Sequence, residues 1–552
     1  MVWRGHTVSA SSGQGAHVEQ SKNTGGATRR RRDWLKAGLY GAACGAAPGP
    51  WQWAQAQSAG LQRLPKLALV IGNSAYLSAS PLRNPRNDAR ALASALQGLG
   101  FETTVLLDAP RAAVHAAVGS YTAALQRRKC VGLFFFAGHG VQLAWKNYLL
   151  PVDARVATAR DVQEQGVELN TLMEGLSRAA NPMNIVLLDA CRDNPFGDFK
   201  PEARGLSQMD APLNSILGYA TSPGNTASDG EGENGLYTGE LLREMKVQYT
   251  RIEDVFKRVR LAVRRQSHGA QIPWESTSLE DDYYFIPPPG LAGPSEAEQA
   301  RQYEAELKLW ESIENAGNSA PYESYLRNYP SGRFSELAQL GLDQALAREG
   351  EKPVQPAPVA GNPYSAGTVR TNTAYKVGDF YSYAQYDLTT GAFKRRFTNT
   401  VTEITEREVI YNNGRSATDL LGNVTRFVDG RRATRNQNQP VEYAVGRQWV
   451  SRYSITSASG QEFQTELRFR ITGKEKVTVP AGTFDCFRLE GRGKSFATFG
   501  SVNVSFSNIA WMAPDLCRAS IKREVSRTIY RPRGQELLEN ERFELERFRQ
   551  QA

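Results

Sequence analysis

The sequence predicts an α/β domain with a mostly parallel sheet and helices on both faces, then a small α-helical unit, then an antiparallel all-β domain. Three observations predict this order. Between residues 66 and 286, short continuous apolar runs alternate with stretches of helical periodicity, the pattern of strands buried on both faces. Residues 295–349 keep the helical spacing alone. From about residue 372 the apolar period becomes two, and Asn412-Asn413-Gly414 and Asp429-Gly430 supply hairpin turns.

A chain of 552 residues has room for about three domains. It is 41% hydrophobic, as a globular protein is, and its five cysteines are too few for a disulfide-built scaffold. No apolar run approaches the roughly 20 residues of a membrane helix. The net charge of +9 suggests a polyanion partner, but seven basic residues against two acids lie in residues 1–56, so the remainder carries only +4. No long basic run is left, which argues against nucleic acid. Residues 1–56 read as a signal peptide: a polar stretch, the cluster Arg29 to Arg32, small and weakly apolar residues, and a small-x-small site at Ala54-Gln55-Ala56. Arg31-Arg32-Asp33-Trp34-Leu35-Lys36 resembles the twin-arginine export motif, which implies a periplasmic or secreted protein.

In the α/β domain, residues 61–287, strands are expected at 66–71, 103–107, 131–136, 185–188 and 215–220. Ala91, Leu92, Ala95 and Leu96 mark a helix over 87–98. The helical unit, 295–350, places Leu307, Trp310 and Ile313 on one face and repeats the pattern with Tyr322, Tyr325, Leu326 and Tyr329. One such unit is too small to stand alone and is expected to pack on a neighbour. Residues 351–370, rich in Pro and Gly, read as a linker. In the β domain, 371–552, Leu467, Phe469 and Ile471 alternate with polar neighbours, as do Val502, Val504 and Phe506. Its cysteines, Cys486 and Cys517, either pair as a disulfide after export or remain two separate buried thiols. Val477 to Asp485 followed by Trp511-Met512-Ala513-Pro514 resembles bacterial envelope β-meander domains, which implies an envelope partner and no activity.

The chemistry collects at two strand ends. The run 131–136 leads into Gly138-His139-Gly140, and 185–188 leads into Asp189-Ala190-Cys191-Arg192. Active sites of open parallel sheets lie beyond the carboxyl ends of the strands, so neighbouring strands would bring His139 and Cys191 to one edge. A thiol of pKa about 8.5 is only a few per cent thiolate at neutral pH, and an imidazole beside it corrects this. The Gly140 N–H could serve an oxyanion hole.

These motifs, 52 residues apart, resemble those of the caspase–metacaspase superfamily of cysteine peptidases. LALVIGNSAY (67–76), Asn84 to Ala89, Gly218 to Thr221 and Gln271 to Trp274 support the resemblance, which covers about 66–286. It implies a caspase-like fold with Cys191 as nucleophile, His139 as general base and Gly140 at the oxyanion. The superfamily's acid-lined pockets match Asp88, Asp189 and Asp229 here. A carboxylate at the pocket base suits an Arg or Lys side chain before the scissile bond. Many metacaspases bind calcium through an adjacent acid pair, but Gln165-Gly166-Val167-Glu168 offers one acid, which puts calcium in doubt. No metal or other cofactor is expected. Residues 192–213 read as an exposed loop, with Arg204 the favoured site of self-cleavage. The alternative is a catalytically silent caspase-fold protein that binds or assembles in the cell envelope.

Overall fold

The computed structural model describes residues 60–191, 205–223, 225, 227, 232–291, 295–354, 361–497, 503–531 and 534–551. The first domain contains β1 (Lys66–Gly72), α1 (Pro85–Gly98), β2 (Phe101–Leu107), α2 (Arg111–Arg128), β3 (Val131–Leu143) and β4 (Lys146–Leu149). There follow α3 (Ala159–Gln165), β5 (Val167–Glu168), α4 (Leu169–Ala179), β6 (Met183–Cys191), β7 (Ser215–Tyr219), α5 (Leu236–Glu244), α6 (Ile252–Gln266) and β8 (Trp274–Thr277). The main sheet has the order β2-β1-β3-β6-β7-β8. Its first five strands are parallel and β8 closes it antiparallel.

Both faces of this sheet are covered, for a reason written in the strands. Successive strand residues point to opposite faces. Leu133, Phe135, Ile185 and Leu187 therefore pack with α1, α5 and α6 through Leu92, Leu241, Phe256 and Val259. Phe134, Phe136, Val186 and Leu188 pack with α2 and α4 through Val118, Leu125, Leu172 and Leu176. Each of these strand side chains is at most 1% exposed. Burial of a side chain of this kind stabilises by about 1.5–3 kcal/mol.

The helical unit is α7 (Glu296–Ile313), α8 (Ala320–Asn328) and α9 (Ser335–Arg348). Trp310, Ile313, Tyr322, Tyr325, Leu326 and Phe334 form its core, joined by Leu261 from α6. The expected neighbour is thus the α/β domain. Arg264 of α6 bridges Asp343 at 2.6 Å and Glu351 at 2.8 Å, and Arg258 Nε donates to Arg327 O at 2.9 Å.

The β domain is a closed antiparallel barrel of twelve strands. They are β10 (Phe380–Asp387), β11 (Phe393–Ile404), β12 (Glu408–Tyr411), β13 (Ser416–Asp419), β14 (Val424–Arg426), β15 (Arg432–Ala433) and β17 (Gln448–Thr456). The rest are β18 (Glu462–Val479), β19 (Gly482–Ala497), β20 (Asn503–Met512), β21 (Lys522–Arg531) and β22 (Gly534–Arg549), which pairs with β10. A short pair, β9 (Thr368–Arg370) and β16 (Glu442–Ala444), lies apart from this ladder. Leu467, Phe469 and Ile471 are buried together, as their alternation predicts. No helix among the described residues is long and apolar enough to cross a membrane.

Two expectations are corrected. The segment 351–370 is not a plain linker: residues 362–370 within it are fastened to the α/β domain and to β16 by hydrogen bonds that Asn362, Ser365 and Ala366 donate and that Tyr364 O and Thr368 Oγ1 accept, and by the pairing of β9 with β16. Cys486 and Cys517 form no disulfide. They are free thiols buried in one apolar cluster, and burial pushes both up to about 12.

Candidate active site

β3 and β6 are parallel neighbours whose register pairs Ala137 with Asp189, Gly138 with Ala190 and His139 with Cys191. Adjacent strands lie about 4.8 Å apart. The backbone therefore sets His139 and Cys191 side by side at the carboxyl ends of two central strands.

His139 is 3% exposed and is held from three sides. Its backbone N–H donates to Tyr76 Oη at 2.7 Å. Its Nε2 lies 2.8 Å from Ser80 O. Its ring tilts against the Tyr76 ring with centroids 4.5 Å apart. A carbonyl oxygen can only accept, so Nε2 carries the proton of the neutral ring, and Nδ1 is left as the basic nitrogen.

The loop that brings Tyr76 and Ser80 to this place is itself pinned. The Asn73 N–H donates to Ala137 O at 2.9 Å, its amide donates to Leu150 O at 3.0 Å, and its Oδ1 accepts from Ala109 N–H at 3.0 Å. Asp108 Oδ1 accepts from Ser74 and Ala75 N–H at 2.8 and 2.9 Å. Gly138, at φ +153°, leaves no room for a side chain, because a Cβ there would lie 2.5 Å from Tyr76 Oη.

Gly140 faces Leu149 of β4. Leu150 N–H donates to His139 O at 3.0 Å, so Gly140 and Leu149 form a non-hydrogen-bonded pair and the Gly140 N–H is turned to the β6 side of the strand. A Cβ on Gly140 would meet Leu206 Cδ2 at 2.9 Å and Ala190 Cβ at 3.1 Å.

Asp88 and Asp189, both buried, are gathered at one helix start. Asp88 Oδ1 accepts from Asn234 Nδ2 and from Gly235 N–H, each at 2.9 Å. Asp189 Oδ2 accepts from Thr238 Oγ1 at 2.6 Å. Gly235 caps α5 and Thr238 is in its first turn, where the helix dipole favours negative charge. Burial first, then the charges of Asp189 and Glu275, holds the Tyr237 phenol well above its ordinary value. Asp229 and Arg204 lie outside the described residues, as does the expected signal peptide. Glu168 is paired with Lys146 at 3.0 Å, and among the described residues no three His, Cys, Asp or Glu side chains gather as a metal site.

Residues 65–284 match the caspase domain of peptidase family C14. This is a caspase-superfamily domain. Within the chain, 182 residues are 29% identical to the human mucosa-associated lymphoid tissue lymphoma translocation protein 1, and equally to its mouse homolog. The match covers 33% of this chain and 21% of each relative, so the chain spans about a fifth of the length of these curated relatives.

Within the caspase domain, sequence reasoning missed Tyr76, Ser80, Asn234 and Thr238. Tyr76 stood in a recognised stretch, but nothing local shows that its hydroxyl will meet a backbone N–H 63 residues away. The exposed loop expected over 192–213 is also corrected in part. Leu206, Ser207, Gln208 and Met209 are all at most 4% exposed, because Leu206 and Met209 pack into the core and the polar side chains between them find partners.

Proposed function

We propose that the protein is a cysteine endopeptidase that cleaves after Arg or Lys. The observation that carries this reading is the register that sets His139 beside Cys191, with the imidazole tautomer fixed by Ser80 O. Cys191 Sγ attacks the scissile carbonyl after passing its proton to His139 Nδ1. The Gly140 N–H stabilises the oxyanion, and His139 returns the proton to the leaving amine. Asp189 and Asp88, with Asp229, receive the basic side chain that precedes the scissile bond. Support for this is the convergence of the first two on the start of α5. The proposal extends to export through residues 1–56 and to self-cleavage after Arg204.

Profiling the purified chain on a peptide library, with and without EGTA, tests the reading. It predicts cleavage after Arg and Lys, none after Asp, rates unchanged by EGTA, and a new N-terminus at Gly205. Cleavage after acidic residues, or none in any library, contradicts it.

A further inference from the structure

Residues 206 and 207 lie beside the ends of β3 and β4. Leu206, wholly buried, lies against Gly140. Ser207 is gripped by Asn147 on β4: its N–H donates to Asn147 Oδ1 at 2.7 Å and its carbonyl accepts from Asn147 Nδ2 at 3.0 Å. A distant stretch, residues 362–368, fastens Gln208 and Asp210. Asn362 Nδ2 donates to Gln208 O at 2.8 Å, and Gln208 Nε2 donates to Thr368 Oγ1 at 2.9 Å. The Asp210 N–H donates to Tyr364 O at 2.9 Å. The Asp210 carboxylate accepts from Ser365 Oγ at 2.7 Å and from Ala366 N–H at 2.8 Å. The barrel secures the other side of this stretch: Lys474 of β18 donates to Ala366 O at 3.2 Å, and β9 pairs with β16.

We propose that residues 362–368 are a strap that positions the active site, with Asp210 as its anchor: by holding 206–210 in place they keep Leu206 on Gly140, the glycine whose N–H meets the oxyanion. This rests on the peptidase reading above and adds a dependence of catalysis on the segment that joins the helical unit to the barrel. Asp210 is a positioning residue, since it acts through its bonds to Tyr364, Ser365 and Ala366. An active-site group displaced by about 1 Å from a remote change loses up to two orders of magnitude in rate. The carboxylate suits its place because it only accepts, and both of its partners are donors. An asparagine there keeps an acceptor for the Ala366 N–H but loses the charge and the acceptor that Ser365 Oγ meets, so that hydroxyl has to turn.

The test uses the full chain as wild type, Asp210→Asn, Ser365→Ala and, as control, Arg396→Gln, which removes an ion pair with Glu546 on the barrel exterior. Three quantities are measured: kcat and KM on a peptide with Arg before the scissile bond, the second-order rate of Cys191 alkylation, and hydrogen exchange of residues 205–211. Asp210→Asn is expected to lower kcat about tenfold or more with KM within about twofold, and to speed exchange at 205–211, while Arg396→Gln changes neither. If Asp210→Asn does not fold, Ser365→Ala, which removes one bond, carries the same test with a drop of about threefold. Wild-type kcat in a variant whose 205–211 exchanges faster overturns the proposal, because the strap is then structural only. Unchanged exchange overturns it as well. The variant-to-wild-type ratio reports the strap, whereas a wild-type chain that cleaves no peptide overturns the peptidase reading and the strap's catalytic role with it.

Discussion

Ser80 contributes to the candidate site without its side chain: its carbonyl, 2.8 Å from His139 Nε2, places the proton of the neutral imidazole on that nitrogen. That contribution was illegible in the sequence, because a backbone oxygen of any residue would serve and only the fold delivers it. The meeting of His139 and Cys191 at one sheet edge was legible, because each stands just past an apolar run that reads as a buried parallel strand. Asp88 was singled out only through the family resemblance, and its tie to Asn234 and Gly235, about 146 positions on, was not legible. The Asp189 assignment makes a prediction at this scale. Asp189→Asn removes the charge that pairs with a basic substrate side chain, so kcat/KM should fall by about 2–3 kcal/mol on Arg peptides and by much less on neutral ones. Steady-state kinetics on matched peptides checks this, and equal losses on both would make Asp189 a purely structural partner of Thr238.

At the scale of elements, the apolar run 131–136 is less than half of β3, which continues through the glycine-flanked histidine to Leu143. The continuation depends on β4 pairing with Gly140 to Leu143 and on the Tyr76 loop, both tertiary, so a local period could not reveal it. Strands and helices whose signal is a buried apolar stripe were legible, as α1 and β6 show. The strap at 362–368 was not, because its anchors are a few polar side chains and backbone groups with no period to mark them. Helix α6 supplies a pH test. Burial, opposed by Arg251, pushes Glu253 near its start up to about 7, and Glu253 Oε2 has no hydrogen-bond partner among the described residues. The folded state therefore binds this proton more readily than the unfolded state. The stability it contributes is fully present below the ordinary carboxyl value and is lost as pH rises through about 7. Glu253→Gln stays neutral, so its unfolding free energy should match wild type near pH 4 and exceed it at pH 8 by about 3 kcal/mol. Denaturation at the two pH values measures this, and an equal difference at both would show that the carboxyl titrates in the folded protein as it does in the unfolded one.

Across the whole molecule, the α/β domain, the helical unit and the barrel meet through buried charge. Arg264 of α6, 9% exposed at its side chain, serves Asp343 of α9 and Glu351 beyond it, and Arg447 beside β16 reaches Glu336 of α9 at 2.6 Å. The number and order of these bodies were legible in the shifts of period along the chain. Their seams were not, since a buried arginine and an exposed one look alike in sequence. Arg264→Met removes the buried cation that two carboxylates share, leaving Asp343 with Arg370 and Glu351 with Arg265, and should cost up to about 3 kcal/mol in chemical denaturation. Arg160→Met, which breaks the exposed Arg160–Glu164 pair, should cost nothing measurable. The central claim is that His139 and Cys191 form a working dyad. Its most direct test is intact-mass and peptide analysis after incubation with an arginine-based, thiol-directed covalent inhibitor. The account predicts one adduct, on Cys191, absent in Cys191→Ala and formed at least about a hundredfold more slowly in His139→Ala. An adduct on another residue, or labelling of Cys191 at the same rate without His139, would contradict it.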